Sequence, residues 1–332
     1  MKLTNKENIH MAMAVFLAND DYDYDARPNS ISATGLLKSV KQVILSKRVD
    51  TKVMEIDISA FIASSLGNAV HDGIEAAWQE GKYQRSLRKL GIAEDMIAKV
   101  KLNPLAGTLK DGDIAVYVEK RSEKEIVGYY VTGKFDFVGD GELVDHKTTG
   151  VYGFMNGSND ENHKLQGSIY RWLNQDIITS DYIIINFFFT DWSKLRSVIE
   201  EAKGYPSSRS MTKKIPLLSI ADTEKFVKHK VNLLKKFMKS PEADMPDCTP
   251  EELWQAPAQY KYYKNPAKKA RATRNFDNYA EANTRRIKDG GAGMIDIVAG
   301  EAKRCNYCSG VSICEQAKLL QAQGLLVLEN LV

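Results

Sequence analysis

The chain has 332 residues, of which 43% are hydrophobic and 27% are charged, a composition typical of a globular protein with one large or two modest domains. Its 46 basic and 43 acidic residues give a net charge of +3, so overall charge neither requires nor excludes a nucleic-acid partner. No apolar run reaches the length of a membrane span and the first residues lack the apolar core of a signal peptide, so we expect a cytoplasmic protein with no membrane partner.

The N-terminal part of the chain predicts helices. Apolar residues recur at helical spacing over four segments: residues 6–17, 31–48, 57–79 and 86–100. The helix over 57–79 has a continuous apolar stripe that we expect to face a core, made of Ile58, Phe61, Ile62, Leu66, Ala69, Val70, Ile74 and Ala77. His71 lies at the edge of this stripe. Taken alone, it is best interpreted as a core-edge histidine with a satisfied hydrogen bond.

The pattern then changes to strands rich in β-branched and aromatic residues. Residues 126–139 and 142–149 predict two strands joined by a tight turn at Gly139-Asp140-Gly141. A strand over 113–120 precedes them, and the polar residues 121–125 predict the connection between it and the next strand. The later elements are predicted in this order: a helix over 162–175, a strand over 182–189 that is apolar on both faces, an edge strand over 211–218, and a helix over 222–238.

Polar side chains converge on one face of the predicted hairpin. Alternation along a strand places Asp145 and Lys147 on the same face, and Asp136 faces away from the two phenylalanines beside it. A pair of carboxylates beside an apolar sheet is costly unless it is hydrogen-bonded or holds a cation. A hard divalent metal such as Mg²⁺ is the usual cation for two acidic oxygens and water. An Asp-x-Lys sequence on its own is also common in solvated turns.

Composition shifts near residue 240, which predicts a core with an N-terminal helical extension over residues 1–240 and an appendage over 241–332. Thr249 and Pro250 predict the N-cap and first position of a helix. Residues 259–276 interleave aromatic residues with cations, a pattern that suits either a nucleic-acid path or a solvated lysine-rich loop. The candidate nucleic-acid-binding residues are Tyr260, Lys261, Lys264, Lys268, Lys269, Arg271 and Arg274.

Four short motifs follow one another in a fixed order. They are GNAVH at 67–71, GKFD at 133–136, DHK at 145–147 and QGSIY at 166–170. Over residues 30–190 the chain therefore resembles the RecB-type branch of the PD-(D/E)xK nuclease superfamily, and it is similar to phage-encoded RecB-like exonucleases and iron–sulfur CRISPR-associated nucleases. The resemblance implies an α/β fold: a restriction-endonuclease-like core with a central mixed sheet flanked by helices, followed by a cysteine-bearing appendage.

The resemblance also implies roles for the residues of these motifs. His71, Asp136, Asp145 and the main-chain carbonyl of His146 would hold Mg²⁺ or Mn²⁺. A histidine ligand favours Mn²⁺ among the available metals. Lys147 would position the attacking water or help to deprotonate it, and would oppose the negative charge that develops on the phosphate.

Two further residues of the core belong to the same expectation. Gln166 and Tyr170 lie one turn apart on a predicted helix, and the resemblance implies that both touch the site and the nucleic-acid backbone. The alternative for this pair is ordinary packing on a helix surface. Glu119 is a further acid at the end of the strand before the hairpin, and no motif assigns it.

The four cysteines predict a metal centre or free thiols rather than disulfides in a reducing compartment. Cys305, Cys308 and Cys314 have the spacing found after the core in iron–sulfur nucleases of the RecB type, whose fourth cysteine precedes the core. Residues 32–45 contain no cysteine, so Cys248 is the remaining candidate. We expect a [4Fe–4S] cluster, with Zn²⁺ as the main alternative.

Together these expectations describe a metal-dependent DNA exonuclease in phage or cellular DNA replication, recombination or repair. End-directed cleavage rests on the resemblance alone. The alternatives are a structure-specific endonuclease with the same site and a non-catalytic DNA-binding recombination protein that keeps the fold. The expected partners are single-stranded DNA or duplex ends, and a single-strand annealing or other recombination protein.

Overall fold

The computed structural model describes residues 2–19, 25–50 and 55–328. The chain divides into two compact units. The first comprises Met1–Leu37 and Lys52–Asn232, and the second comprises Lys38–Thr51 and Leu233–Val332. Within the described residues, no helix is both long and apolar enough to cross a membrane.

The helices are numbered in chain order. They are α1 (Met11–Ala18), α2 (Ala33–Leu36), α3 (Val40–Arg48), α4 (Ile62–Ala77), α5 (Lys82–Lys89), α6 (Glu94–Lys99), α7 (Val151–Asn156), α8 (Asp160–Leu173), α9 (Lys194–Ile199), α10 (Ile220–Phe237), α11 (Tyr279–Lys288) and α12 (Glu315–Ala322). The strands are β1 (Lys2–Thr4), β2 (Ser30–Ser32), β3 (Glu55–Asp57), β4 (Val100–Leu102), β5 (Ile114–Ile126), β6 (Tyr129–Gly139), β7 (Glu142–Thr149), β8 (Tyr182–Phe189), β9 (Ser210–Pro216), β10 (Gln259–Tyr263), β11 (Arg274–Phe276) and β12 (Met294–Val298).

The first unit is built on a mixed sheet with the strand order β4-β5-β6-β7-β8-β9. β7 and β8 run parallel, whereas β5, β6 and β7 form antiparallel neighbours. β8 lies inside the sheet and alternates buried with half-buried residues, and β9 is an edge strand, both as predicted. The helix α8 packs against β6 and β8. The predicted α/β class, with a central mixed sheet flanked by helices, is therefore confirmed.

The two tight turns of the sheet differ in how well the sequence predicts them. Asp140 and Gly141, with φ of 49° and 81°, connect β6 to β7 at the predicted position. The predicted connection at residues 121–125 is wrong, because these residues belong to β5 and pair with β6. The turn instead uses Val127 and Gly128, which also have positive φ. These residues form a largely exposed stretch of β5, and a run of polar residues alone does not distinguish such a strand from a loop.

The helix α4 differs most from its prediction. Its apolar stripe was expected to face a core, yet Ser65 is its buried residue, and Ile62 and Leu66 are 50% and 45% exposed. A 3₁₀ turn over Ile58–Phe61 precedes it. The reason is its docking: α4 meets β7 through the edge that carries His71, so the stripe stays largely in solvent.

The second unit contains a small antiparallel sheet with the order β11-β10-β12, on which α11 packs. A separate apolar cluster is formed by Leu253, Ala302, Cys305, Ala317, Leu320 and Leu326. The prediction of a helix that begins after Thr249 is wrong. The Thr249 hydroxyl accepts from the Glu252 amide at 3.3 Å, but the chain turns only once before Trp254, whose φ of 53° ends any helix.

Candidate active site

The site in the first unit lies where two strands separate. β6 and β7 pair from Gly139 opposite Glu142 to Phe137 opposite Val144, and the pairing stops there. The next residues in this register are Asp136 and Asp145. Beyond that point the Asp136 carboxylate, rather than the backbone of β6, accepts a hydrogen bond from the His146 amide at 2.7 Å. Two carboxylates thus lie at the point where the main-chain pairing of β6 and β7 ends.

His71, Glu119 and Asp136 surround one candidate metal position. Nδ1 of His71 lies 3.5 Å from Oδ2 of Asp136 and 3.9 Å from Oε1 of Glu119, and one ligand atom from each residue lies within 4.8 Å of the others. Nε2 of His71 donates to the main-chain oxygen of His146 at 3.0 Å. This bond leaves Nδ1 to face the two carboxylates, as in metal sites where the second ring nitrogen orients the ligand.

Asp145 and Lys147 form the adjoining half of the site. Asp145 is only 1% exposed, and its Oδ2 lies 2.6 Å from Nζ of Lys147. Gln166 of α8 donates from Nε2 to Oδ1 of Asp145 at 3.2 Å and to the Tyr170 hydroxyl at 2.9 Å. The structure therefore brings the predicted pair Gln166 and Tyr170 to the predicted Asp145. Asp145 itself is not among the three residues around the metal position.

Burial and like charge make this site electrostatically unfavourable without a cation. Burial and the negative charge of Asp145 raise the pKa of Asp136 to about 7. The neighbouring carboxylate of Glu119 and the charge of Asp136 raise the pKa of His71, although burial opposes them. Burial lowers the pKa of Lys147, but Asp145 and Asp136 outweigh it and the net shift is upward. A divalent cation would relieve the same repulsion that raises the pKa of Asp136.

Glu119 and Lys134 complete the site, and sequence reasoning assigned neither a role. Glu119 has a φ of 49°, an unusual value for a residue with a Cβ atom, and it interrupts the β5–β6 ladder directly opposite Asp136. Lys134 binds Oε2 of Glu119 at 2.7 Å. The only signal for Lys134 was its position, since it lies two residues before Asp136 on the same face of β6.

The His146 side chain lies apart from the metal position and is 8% exposed. Asn186, its partner on β8, lies with Nδ2 3.3 Å from its Nδ1. Burial, followed by the charge of His71, lowers the pKa of His146. His146 therefore has two separate roles: its side chain is a buried, neutral imidazole, and its main-chain carbonyl accepts the hydrogen bond from His71.

The second unit brings the four cysteines to one pocket. Cys248, Cys305, Cys308 and Cys314 line it, together with Ser39, Lys41 and Arg304. All four are free thiols. Ser39 belongs to residues 32–45, which contain no cysteine, and its Oγ lies 3.0 Å from Sγ of Cys248. Among the described residues, no three of the cysteine sulfurs lie within 4.8 Å of one another.

Cations surround this pocket. Burial raises the pKa of each thiol, to about 11 for Cys305 and Cys314. The positive charges of Arg304 and Lys41 act in the opposite direction on Cys308 and Cys314. Lys41 is itself buried and lies 2.5 Å from Asp247. Fixed cations of this kind favour thiolates, the form in which cysteine binds metal.

The candidate nucleic-acid residues lie on and around a hairpin rather than on a loop alone. Tyr260 and Lys261 lie on β10, Arg274 lies on β11, and the connection between these strands carries Lys264, Lys268, Lys269 and Arg271, all exposed. The Tyr260 ring packs edge-on against Tyr279, with centroids 6.1 Å apart. Lys269 lies 3.5 Å from Asp296. The exposed charges are thus concentrated in the connection between the strands.

Comparisons with known proteins give no family. No protein-family profile matches the chain, and no curated protein matches it. Among solved structures, that of SSO0001 is 16% identical over 64% of this chain and 79% of that chain, with a TM-score of 0.38. A phage related exonuclease from Haemophilus somnus 129PT is 14% identical over 63% of this chain and 93% of that chain, with a TM-score of 0.28. At these values the likenesses assign neither a family nor an activity.

Proposed function

We propose that the chain is a metal-dependent nuclease with a PD-(D/E)xK core that hydrolyses DNA from its ends. The observation that carries the proposal is the meeting of Asp136 and Asp145 where the β6–β7 ladder ends, with His71 and Lys147 beside them. Burying ionised carboxylates costs free energy unless they are paired or bind a cation. Metal-dependent phosphodiester hydrolysis is a reaction that uses such a cluster of carboxylates.

The residues present fit a hard divalent cation, Mg²⁺ or Mn²⁺. His71, Glu119 and Asp136 would hold the cation. Asp145, which lies next to them, is proposed as a fourth ligand. When bound, such an ion neutralises charge on the phosphate and makes water a better nucleophile at neutral pH. The raised pKa of Asp136 supports this assignment, because a cation beside the carboxylate would offset the burial and the charge of Asp145 that raise this pKa.

Lys147 is the proposed electrostatic and water-positioning group. Its ammonium is held by Asp145, and Asp145 is held by Gln166, which in turn contacts Tyr170. A chain of this kind fixes a charge before the substrate arrives, and such preorganised charges are the most effective in a buried site. Gln166 and Tyr170 are therefore proposed as positioning residues that act through Asp145.

A cleavage assay tests the proposal. Purified protein is incubated with end-labelled linear DNA and with covalently closed single- and double-stranded circles, in Mn²⁺, in Mg²⁺ and in EDTA. We expect progressive loss of linear DNA with either metal, intact circles, and no cleavage in EDTA. Rapid nicking of circles would select the endonuclease alternative, and DNA binding without cleavage would select a non-catalytic protein. Linear RNA in parallel decides the substrate class.

The role of His71 has its own test. His71→Ala should raise the metal concentration needed for half-maximal cleavage, or abolish cleavage, with little change in melting temperature. His229→Ala, at an exposed position of α10, is the matched control. If His71→Ala melted much earlier and kept the normal metal requirement, His71 would be an ordinary core-edge histidine.

For the cysteine pocket we propose a metal centre that stabilises the second unit, more specifically a [4Fe–4S] cluster. A tetrahedral zinc site with Zn–S bonds of about 2.3 Å needs its sulfurs about 3.8 Å apart. A [4Fe–4S] cluster also takes four thiolates, and the spacing of Cys305, Cys308 and Cys314 supports it as the first choice. Protein purified without oxygen should be brown and carry about four iron and four sulfide per chain. One zinc per colourless chain would select the alternative.

A further inference from the structure

One carboxylate of the candidate site is shared between a metal position and an amine. Oε1 of Glu119 lies 3.9 Å from the His71 ring, and Oε2 lies 2.7 Å from Nζ of Lys134. Lys134 is 38% exposed, so its ammonium can reach solvent by rotation of its side chain. The unusual backbone of Glu119 holds the carboxylate between these two neighbours.

The charges around Lys134 come from two elements, β5 and α4. Glu119 and Glu75, on β5 and α4, favour its charged form, whereas Arg121 opposes it. Arg121 is the residue directly opposite Lys134 in the β5–β6 ladder. Like charges placed directly opposite each other destabilise a sheet. The pairing of Lys134 with Glu119 offsets that cost.

A divalent cation bound by His71, Glu119 and Asp136 would compete with Lys134 for Glu119. The ion carries twice the charge of an ammonium and would contact the same carboxylate group. Once Glu119 is neutralised by metal, the Lys134 ammonium loses its carboxylate partner and still lies opposite Arg121 on one face of the sheet. Two residues along a strand span about 7 Å, so this pair lies close to Asp136 and the reacting phosphate.

We propose that Lys134 couples metal binding to nucleic-acid binding: its ammonium neutralises Glu119 until a divalent cation does so, and it then contacts a backbone phosphate next to the one that is cleaved. This inference rests on the proposed nuclease function. It assigns Lys134 to a phosphate-binding site that forms only when the metal is present. Lys134 is a positioning residue for the substrate and takes no part in the hydrolysis itself.

The test measures DNA affinity rather than cleavage. Binding of a labelled single strand is titrated in EDTA for the natural protein, Glu119→Gln, Lys134→Gln and the double variant. Glu119→Gln should bind DNA several-fold more tightly without metal, and its salt dependence should steepen by about 0.7, the value for one single-strand phosphate contact. This gain should disappear in the double variant, because the released ammonium is then absent.

A simpler explanation is that removal of any negative charge improves DNA binding. In that case Glu119→Gln would give the same gain with and without Lys134, and the inference would be overturned. The control is Asp113→Asn, which breaks a comparable pair with Lys101 at 3.7 Å and should leave DNA affinity unchanged. Substitution of Asp113 that gave the same gain as substitution of Glu119 would likewise overturn it.

A second readout separates this inference from the proposed function. With Ca²⁺ present and the DNA checked to be intact, the natural protein should bind DNA more tightly than in EDTA, and Lys134→Gln should lose most of that difference. If the natural protein cleaves DNA but Lys134→Gln keeps the full effect of Ca²⁺, the coupling is wrong and the nuclease stands. If the natural protein neither binds nor cleaves DNA, the proposed function itself fails.

Discussion

The two candidate metal sites of this molecule carry opposite fixed charges. The site in the first unit places Glu119, Asp136 and Asp145 where the β6–β7 pairing ends. The pocket in the second unit places its thiols beside Arg304 and the buried Lys41. Burial favours the neutral form at both sites, as the raised pKa values of Asp136 and Cys305 indicate. A bound cation would therefore stabilise the ionised carboxylates of the first site, and the nearby cations Arg304 and Lys41 favour the ionised thiols of the second.

The difference indicates what each site takes. A cluster of carboxylates is relieved by a hard cation that also meets water and phosphate, and such an ion can exchange. Thiols among cations are relieved when they become thiolates on a soft metal or cluster, which is held permanently and stabilises the fold. We therefore assign chemistry to the first site and structure to the second, and the predictions below test that division.

The largest expected effect is at Asp145. Asp145→Asn keeps the shape of the side chain but removes the charge that holds Lys147 and serves the metal, so cleavage of linear DNA should fall below detection. DNA binding in EDTA should persist, because the backbone contacts lie elsewhere. Initial rates of cleavage in Mn²⁺ measure the loss. Asp72→Asn, an exposed acid beside His71 on α4, is the control and should cleave normally.

A second variant of the same half-site should have a smaller effect. Lys147→Ala removes one preorganised charge and should slow cleavage by at least ~10²-fold while the protein still binds metal. Metal binding is followed by the stabilisation that Mn²⁺ gives against thermal unfolding. Lys164→Ala, on the surface of α8, is the matched lysine. Normal cleavage by Lys147→Ala would remove Lys147 from the mechanism.

At the other site, loss of a thiol should cost stability rather than chemistry. Cys305→Ser removes the most buried of the four sulfurs, and we expect loss of the centre and a melting transition of the second unit lower by 10 °C or more, on the order of the effect of losing a structural metal. Iron, sulfide and zinc analysis with calorimetry measures both. An unchanged Tm would leave four ordinary thiols there.

Cys248→Ser decides the fourth ligand. If the centre and the Tm are both unchanged, Cys248 is only a packing residue beside Ser39. If both fall as they do in Cys305→Ser, a cysteine that follows the core serves in place of one that precedes it.

Much of the first site was predictable because it is local in sequence. The turn after β6, the strand β8 and the shared face of Asp145 and Lys147 follow from residue alternation and turn chemistry, which act over a few neighbours. What sequence could not give was where the β6–β7 ladder stops. That point is a tertiary feature, because β7 pairs with Phe137–Gly139 and β2 with Tyr130–Thr132, and residues 133–136 of β6 pair with neither strand.

The remaining misses have the same origin. The stripe of α4 predicted a buried face, but the helix is oriented by the contact of His71 with His146. Glu119 could not be assigned, because its position opposite Asp136 depends on an unusual φ value rather than on a motif. In the second unit, Cys248 precedes Cys305 by 57 residues and follows Ser39 by many more. No motif in the sequence indicated that Cys248 would contact Ser39.

The pH dependence of stability gives a smaller test of the charge contrast. The pKa of Asp136 is about 7 in the fold and near 4 when unfolded, so between these values the folded state binds more protons. Stability of the metal-free protein should therefore fall as pH rises from 4 to 7, by on the order of a few kcal/mol. Asp136→Asn should remove this slope, and Mn²⁺ should reduce it.

Denaturant titrations at several pH values measure the effect. Asp57→Asn is the control of opposite sign, because hydrogen bonds from Lys6 and Ser59 lower the pKa of Asp57 to about 2. Its contribution is lost only as pH falls below 4, so it should not change the slope between pH 4 and 7. A slope that survived Asp136→Asn would place the titrating group elsewhere.

The smallest effect concerns the hairpin of the second unit, and it decides whether that unit does more than hold a centre. Lys268 and Arg271 lie exposed in the β10–β11 connection, where Lys269 already pairs with Asp296. If the connection contacts a DNA strand, replacing both residues by Gln should reduce the slope of log binding constant against log salt concentration by about 1.4, that is about 0.7 for each phosphate contact with a single strand. The reduction should be the same for every DNA sequence. The control Lys318→Gln, on α12 of the same unit, should leave the slope unchanged. An unchanged slope in the double variant would identify a solvated loop, because exposed charges that meet no phosphate release no counterions. In that case the division between a catalytic unit and a purely structural one would be complete.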